Sequence, residues 1–214
     1  MPDLDGGQIR TDLSPCLDLT KPHLSFKRRL LGAHNHMFRG LFSPKPEKRT
    51  AQALHRKVVE AARQPALYGE DGVPDTIEGR FELVVLHTAL VVLVLQKGED
   101  PRGRAVSQAL FDAMFDDFDA AMRELGVGDS AVGKKIRFMA EGFYGRAKAL
   151  EEALEAQDDS AALVEVLSRN TLAQEAPDAR AERLSLYVNS AFKSLTSQGA
   201  DALIAGEAPA FPQA

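Results

Sequence analysis

Residues 72–95 read GVPDTIEGRFELVVLHTALVVLVL. This stretch decides the fold because it joins a sharp start signal to the longest apolar run in the chain. Asp75 stands where its carboxylate can accept from the free N–H groups of a first helical turn, and Glu78 can reach back as in a capping box. From Leu83 to Leu95 the run is apolar except for His87 and Thr88. Its β-branched residues suit a strand, but its length favours a helix over about 76–97, ended by Gly98. Thirteen helical residues cover roughly 20 Å, short of the roughly 30 Å hydrocarbon core of a bilayer. The run is therefore not a membrane span. A helix apolar all round belongs at the centre of a bundle.

The flanking segments read as helices too. EKRTAQALHRKVVEAARQ (47–64) places Leu54, Val58 and Ala61 on one face, and Pro65 ends it. SQALFDAMFDDFDAAMREL (107–125) stripes Phe111, Phe115, Phe118, Met122 and Leu125, with Leu110 and Met114 beside them. Gly126 and Gly128 stop it. Asp129 or Ser130 caps a helix over about 130–156, with Ile136, Met139, Phe143, Ala147, Leu150 and Leu154 inward. Two further helices follow near 160–170 and 178–204. The expectation is an all-α, single-domain bundle of about six to seven helices: a basic arm over 1–45, the helical domain over 46–205, and a non-helical tail over 206–214.

At 214 residues with 44% hydrophobic and 27% charged content, the chain can bury a sizeable core. Its one cysteine, Cys16, excludes an internal disulfide and fits a reducing compartment such as the cytoplasm. The opening residues lack the apolar core of a signal peptide. The net charge of −5 hides an asymmetry. Residues 21–63 hold eleven Lys/Arg against Glu47 and Glu60, so the remainder is strongly acidic. A basic arm on an acidic body suits an anionic partner surface, lipid headgroups or ribosomal RNA, with Arg39, Lys45, Lys48 and Arg49 as candidate contacts. It equally suits a solvated arm. Neither reading calls for DNA.

Motifs that would carry chemistry fall short. GDSAVGKK (128–135) aligns Gly128, Gly133 and Lys134 with a phosphate loop. However, Lys135 replaces the magnesium-binding Ser/Thr, and an amphipathic helix precedes it where a strand is needed. The Asp residues of FDDFD lack the calcium-loop register, and a di-iron bundle needs paired Glu-x-x-His motifs. They read as a solvated face, and no metal or cofactor is expected. His34 and His36 lack a second ligand pair. His87 reads as a satisfied core histidine. With no nucleophile elbow, Cys/His pair or His-Glu-x-x-His, an enzyme is not expected.

Taken together, PALYGEDGVPDTIEGRFELVVLHTALVVLVL (65–95) and QALFDAMFDDFDAAMRELGVGDSAVGKKIRFMAEGFYGRAKAL (108–150) resemble the ubiquinol–cytochrome c chaperone family. The elements that carry the likeness occur in order. An aromatic precedes a loop, then come Pro-Asp-Thr-x-x-Gly-Arg-Phe-Glu, an apolar helix with a histidine, and Arg-Glu-Leu-Gly-Val. A Gly-Lys-Lys helix start and Phe-Tyr-Gly-Arg follow. The likeness covers about 50–155, and the family region can start at Met37, which makes 1–36 an extension.

The resemblance implies a helical holding chaperone for respiratory complex III assembly. Such a protein binds newly made cytochrome b, works near the ribosome at the inner face of the membrane, and uses a small helical partner protein. Phe111, Met114, Phe115, Met139, Phe143 and Tyr144 are then candidate client contacts, although each singly also fits core packing. Asp75, Thr76, Glu78, Gly79, Arg80, Phe81 and His87 carry the motif, as cap, close packing, ion pair and core. The alternative is a peripheral adaptor that uses the basic arm to bring an acidic helical body to anionic lipid.

Overall fold

The structure is a computed structural model that describes residues 45–156 and 160–214. Seven α-helices follow one another: α1 (Pro46–Ala62), α2 (Ile77–Lys97), α3 (Arg102–Glu124), α4 (Asp129–Glu155), α5 (Ser160–Asn170), α6 (Ala179–Gln198) and α7 (Ala200–Ala205). A single 3-10 turn, Pro65–Leu67, lies between α1 and α2. Among the described residues there is no strand, only an isolated bridge between Tyr68 and Val73. The fold is an all-α bundle. The arm to residue 44, with Arg39, His34 and His36, lies outside the described residues.

Helix α2 is the axis of the bundle, in contact with α1, α3, α4, α6 and α7. All thirteen residues from Leu83 to Leu95 are buried. Each fully covered Leu or Val contributes about 1.5–3 kcal/mol relative to exposure, so this helix holds the others by its circumference. No helix among the described residues is long and apolar enough to cross a membrane.

The start of α2 differs from the capping box that the sequence suggests. Thr76 is the N-cap, and its Oγ1 accepts from the Gly79 N–H at 3.1 Å. The Asp75 carboxylate turns to Arg80 instead, accepting from Nε at 2.6 Å and from an Nη at 3.2 Å. Glu78 then sits in the first turn one position too early to close the box. Gly79 is required by close packing, since a Cβ there would land on the Pro74 carbonyl oxygen.

Helix α3 begins five residues before the start expected at Ser107. Asp100 accepts from the Arg102 N–H at 2.8 Å and nucleates the added turn. Gly103 lets that turn cross the Leu95 carbonyl, so a residue of low helix propensity stands inside a helix because packing demands it. Helix α4 starts with Gly128 as N-cap and no side-chain cap bond. Asp129 is engaged by Arg123 rather than capping. The predicted helix over 178–204 is two helices, divided at Gly199, whose φ of 84° is left-handed territory. After α7 the chain has no regular secondary structure. The side-chain amides of Gln64 and Gln198 hold it by its backbone, Gln198 bonding Ala208 O and Ala210 N, and Gln64 bonding Pro212 O and Ala214 N.

Candidate functional site

Aromatic residues run in a continuous series from the core to one end of the bundle. The Phe143 ring lies 5.2 Å from Phe111, which is 4.6 Å from Phe115. Phe115 meets Phe118 at 5.8 Å, and Phe118 meets Phe81 at 4.5 Å. Tyr144 stacks on Phe111 at 5.2 Å. Burial falls along this series. Phe111, Met114, Phe115 and Phe143 are covered, while Phe118, Phe81, Met139 and Tyr144 are half-buried. Four of the six residues proposed from the sequence as client contacts therefore face the interior, where the phase of their helices puts them.

Exposure is greatest just beyond the half-buried members. Since Phe81 opposes Phe118, Ile77 (one turn earlier on α2) comes level with Met122 (one turn later on α3). Ile77 is 65% exposed and Leu125 is 63% exposed. Met122 and Val127 are half-buried beside them. Among the described residues this end thus gathers the exposed Ile77 and Leu125 with the half-buried Phe81, Phe118 and Met122, all large apolar groups. The sequence stripe on α3 contains three of them. What it does not reveal is that Ile77, at the start of α2, lies at the same end.

Behind this end lie two polar features. The Glu82 carboxylate accepts from Arg146 at 3.0 Å, bridging α2 and α4. Burial pushes its pKa up to about 7 against the opposing pull of the guanidinium. This ties the Phe-Tyr-Gly-Arg segment to the Gly-Arg-Phe-Glu segment, a pairing that neither stretch shows alone.

The second is His87, fully buried. Its Nδ1 lies 2.7 Å from the Leu83 carbonyl, which can only accept, so Nδ1 carries the proton and Nε2 accepts from the Tyr187 hydroxyl at 2.8 Å. Phe211 covers the imidazole edge-on at 4.9 Å. Burial lowers the His87 pKa to about 4 and raises that of Tyr187 to about 12. Both ring nitrogens are satisfied, as a core histidine requires.

The remaining candidates lie elsewhere. Lys45, Lys48 and Arg49 are exposed on the first turn of α1 and its cap. The GDSAVGKK segment forms a helix start with Lys134 in solvent and no preceding strand. In FDDFD, Asp117 faces His55 at 3.4 Å and Asp119 pairs with Arg123 at 2.6 Å. No group of three potential metal ligands occurs among the described residues.

Comparison with known proteins agrees with this architecture. The chain is 26% identical over 162 residues to the ubiquinol-cytochrome-c reductase complex assembly factor 1 of Xenopus laevis, spanning 75% of this chain and 80% of the relative. The solved structure of the Cbp3 homolog from Brucella abortus superposes with a TM-score of 0.68 at 36% identity, covering 78% of this chain and 92% of that one. The profile of the ubiquinol-cytochrome C chaperone family matches residues 70–211, and the chain belongs to that family.

Proposed function

We propose that this protein is an assembly chaperone for ubiquinol–cytochrome c reductase, not a catalyst, and that it holds newly made cytochrome b at the apolar end of the bundle. The observation that supports this reading is the exposed Ile77 and Leu125, beside the half-buried Phe118 and Met122, on a member of a chaperone family. A hydrophobic client helix covered there gains roughly 25 cal/mol per Å² of apolar area removed from water. Met and Phe fit varied partners because they adapt or slide without fixed hydrogen-bond geometry. Met139 and Tyr144, half-exposed on α4, extend this surface, whereas Phe111, Met114, Phe115 and Phe143 support it from within. Lys45, Lys48 and Arg49, with Arg39 before them, are placed by this reading toward an anionic membrane or ribosome surface. A small helical partner protein shares the complex.

Crosslinking followed by capture from native membranes tests this. Wild type should enrich cytochrome b over other abundant membrane proteins, and Leu125→Asp, which touches no core contact, should lose most of that enrichment while remaining folded. Equal enrichment by Leu125→Asp would remove the apolar end from the mechanism. Salt-sensitive lipid binding without cytochrome b would instead favour the peripheral adaptor.

A further inference from the structure

Helix α4 carries a second face, distinct from the apolar end, on which Phe138 and Gly145 are exposed and Gly142 and Ala149 half-buried. Phe138 is 77% exposed, the most exposed of the large hydrophobic residues of the described chain. It lies about 200° around the helix from the buried Ile136, on the side away from the bundle. Gly142, Gly145 and Ala149 continue the same face at helical spacing. A Cβ on Gly142 or Gly145 would meet nothing within 4 Å, and neither residue has a positive φ. Each costs a helix interior about 0.8–1 kcal/mol relative to alanine. Nothing within the described chain requires that cost, in contrast to Gly79 and Gly103.

We propose that this face packs against α4 of a second copy of the chain, antiparallel about a two-fold axis between Phe143 and Tyr144. That register is self-complementary in size and charge. It sets Phe138 over Ala149 of the second copy and Gly142 over its Gly145, so a large group meets a small one and the backbones close at the glycines. Along one flank Lys134 meets Glu152 of the second copy, and Glu141 meets its Lys148.

All four charged residues are exposed, and the Lys148–Glu152 pair within one chain is loose at 3.7 Å. Two-fold symmetry makes each contact twice. A parallel in-register pairing would set Phe138 against Phe138 and lose the match of large to small. A membrane-derived client segment offers no charges to match these flanks, so the charge pattern selects a second copy as occupant.

Sedimentation velocity of the full chain over a hundredfold concentration range should show a reversible monomer–dimer equilibrium. Phe138→Glu and Gly145→Leu should each weaken it about tenfold or more. The leucine also improves local helix propensity, so loss of dimer there cannot come from a failed fold. Lys134→Glu should weaken the dimer, and adding Glu152→Lys in the same chain should restore it, since each reversed residue then faces its reversed counterpart. A monomer at every concentration overturns the proposal. So does a dimer indifferent to Phe138→Glu and Gly145→Leu, or a charge-reversed pair that fails to recover.

Discussion

Gly79 shows how a single missing methyl group positions a helix. Its first turn rests on the Pro74 carbonyl, and the obstacle to any side chain is backbone, which cannot rotate away. Helix propensity alone favours alanine there by about 1 kcal/mol. Overpacking costs typically about 1–3 kcal/mol, so the steric cost should win. Gly79→Ala is expected to lower the urea midpoint, whereas Gly133→Ala, in a helix with open space around it, should raise it. A raised midpoint for both would mean that the Pro74 loop shifts freely. The sequence marks Gly79 as part of a motif but gives no reason for it, because the reason lies in a loop that folds back across it.

At the scale of elements, helix α2 was legible in nearly every respect except its cap. Length, the apolar run and Gly98 define its body and end. The choice between Asp75 and Thr76 depends on Arg80, which draws the carboxylate outward. Thr76→Ala should therefore cost about 1 kcal/mol in chemical denaturation, the usual value of a lost N-cap. Asp75→Ala removes only an exposed ion pair and should cost well under 1 kcal/mol. The reverse order would restore the Asp75 cap. Helix α3 shows the complementary limit: Gly103 hides its first turn from propensity, and only the crossing with Leu95 explains it. On α4 the inward positions Ile136, Phe143, Ala147 and Leu150 were readable, whereas Met139 and Leu154 of the same stripe are only half-buried. Which aromatic residues reach solvent was not readable, since that depends on where neighbouring helices stop.

At the scale of the whole molecule, the buried His87 makes stability depend on pH. Its pKa is about 4 in the folded protein and near 6.5 when unfolded. The unfolded chain thus binds more protons in that interval, and the contribution of neutral His87 is lost as pH falls from about 6.5 to about 4. The magnitude is on the order of 3 kcal/mol, from 1.36 kcal/mol per pH unit. Glu82 acts in the opposite sense. Its pKa, raised to about 7, makes the folded state lose relative stability as pH rises through about 4.5–7. Both terms are present in wild type, so His87→Gln isolates the first. The stability difference between wild type and variant should shrink on acidification from pH 7 to pH 4, and a constant difference would mean that His87 does not titrate between the two states.

The cover over that histidine comes from far along the chain. Phe211 lies 124 positions after His87, and Gln64 near the start of the bundle holds Pro212 and Ala214. At about 5–20 residues per second, a ribosome needs on the order of 6–25 s to pass from one to the other. During that interval the central helix exists without the segment that seals it. The apolar core thus waits, partly unsealed, for the segment that follows α7 to arrive.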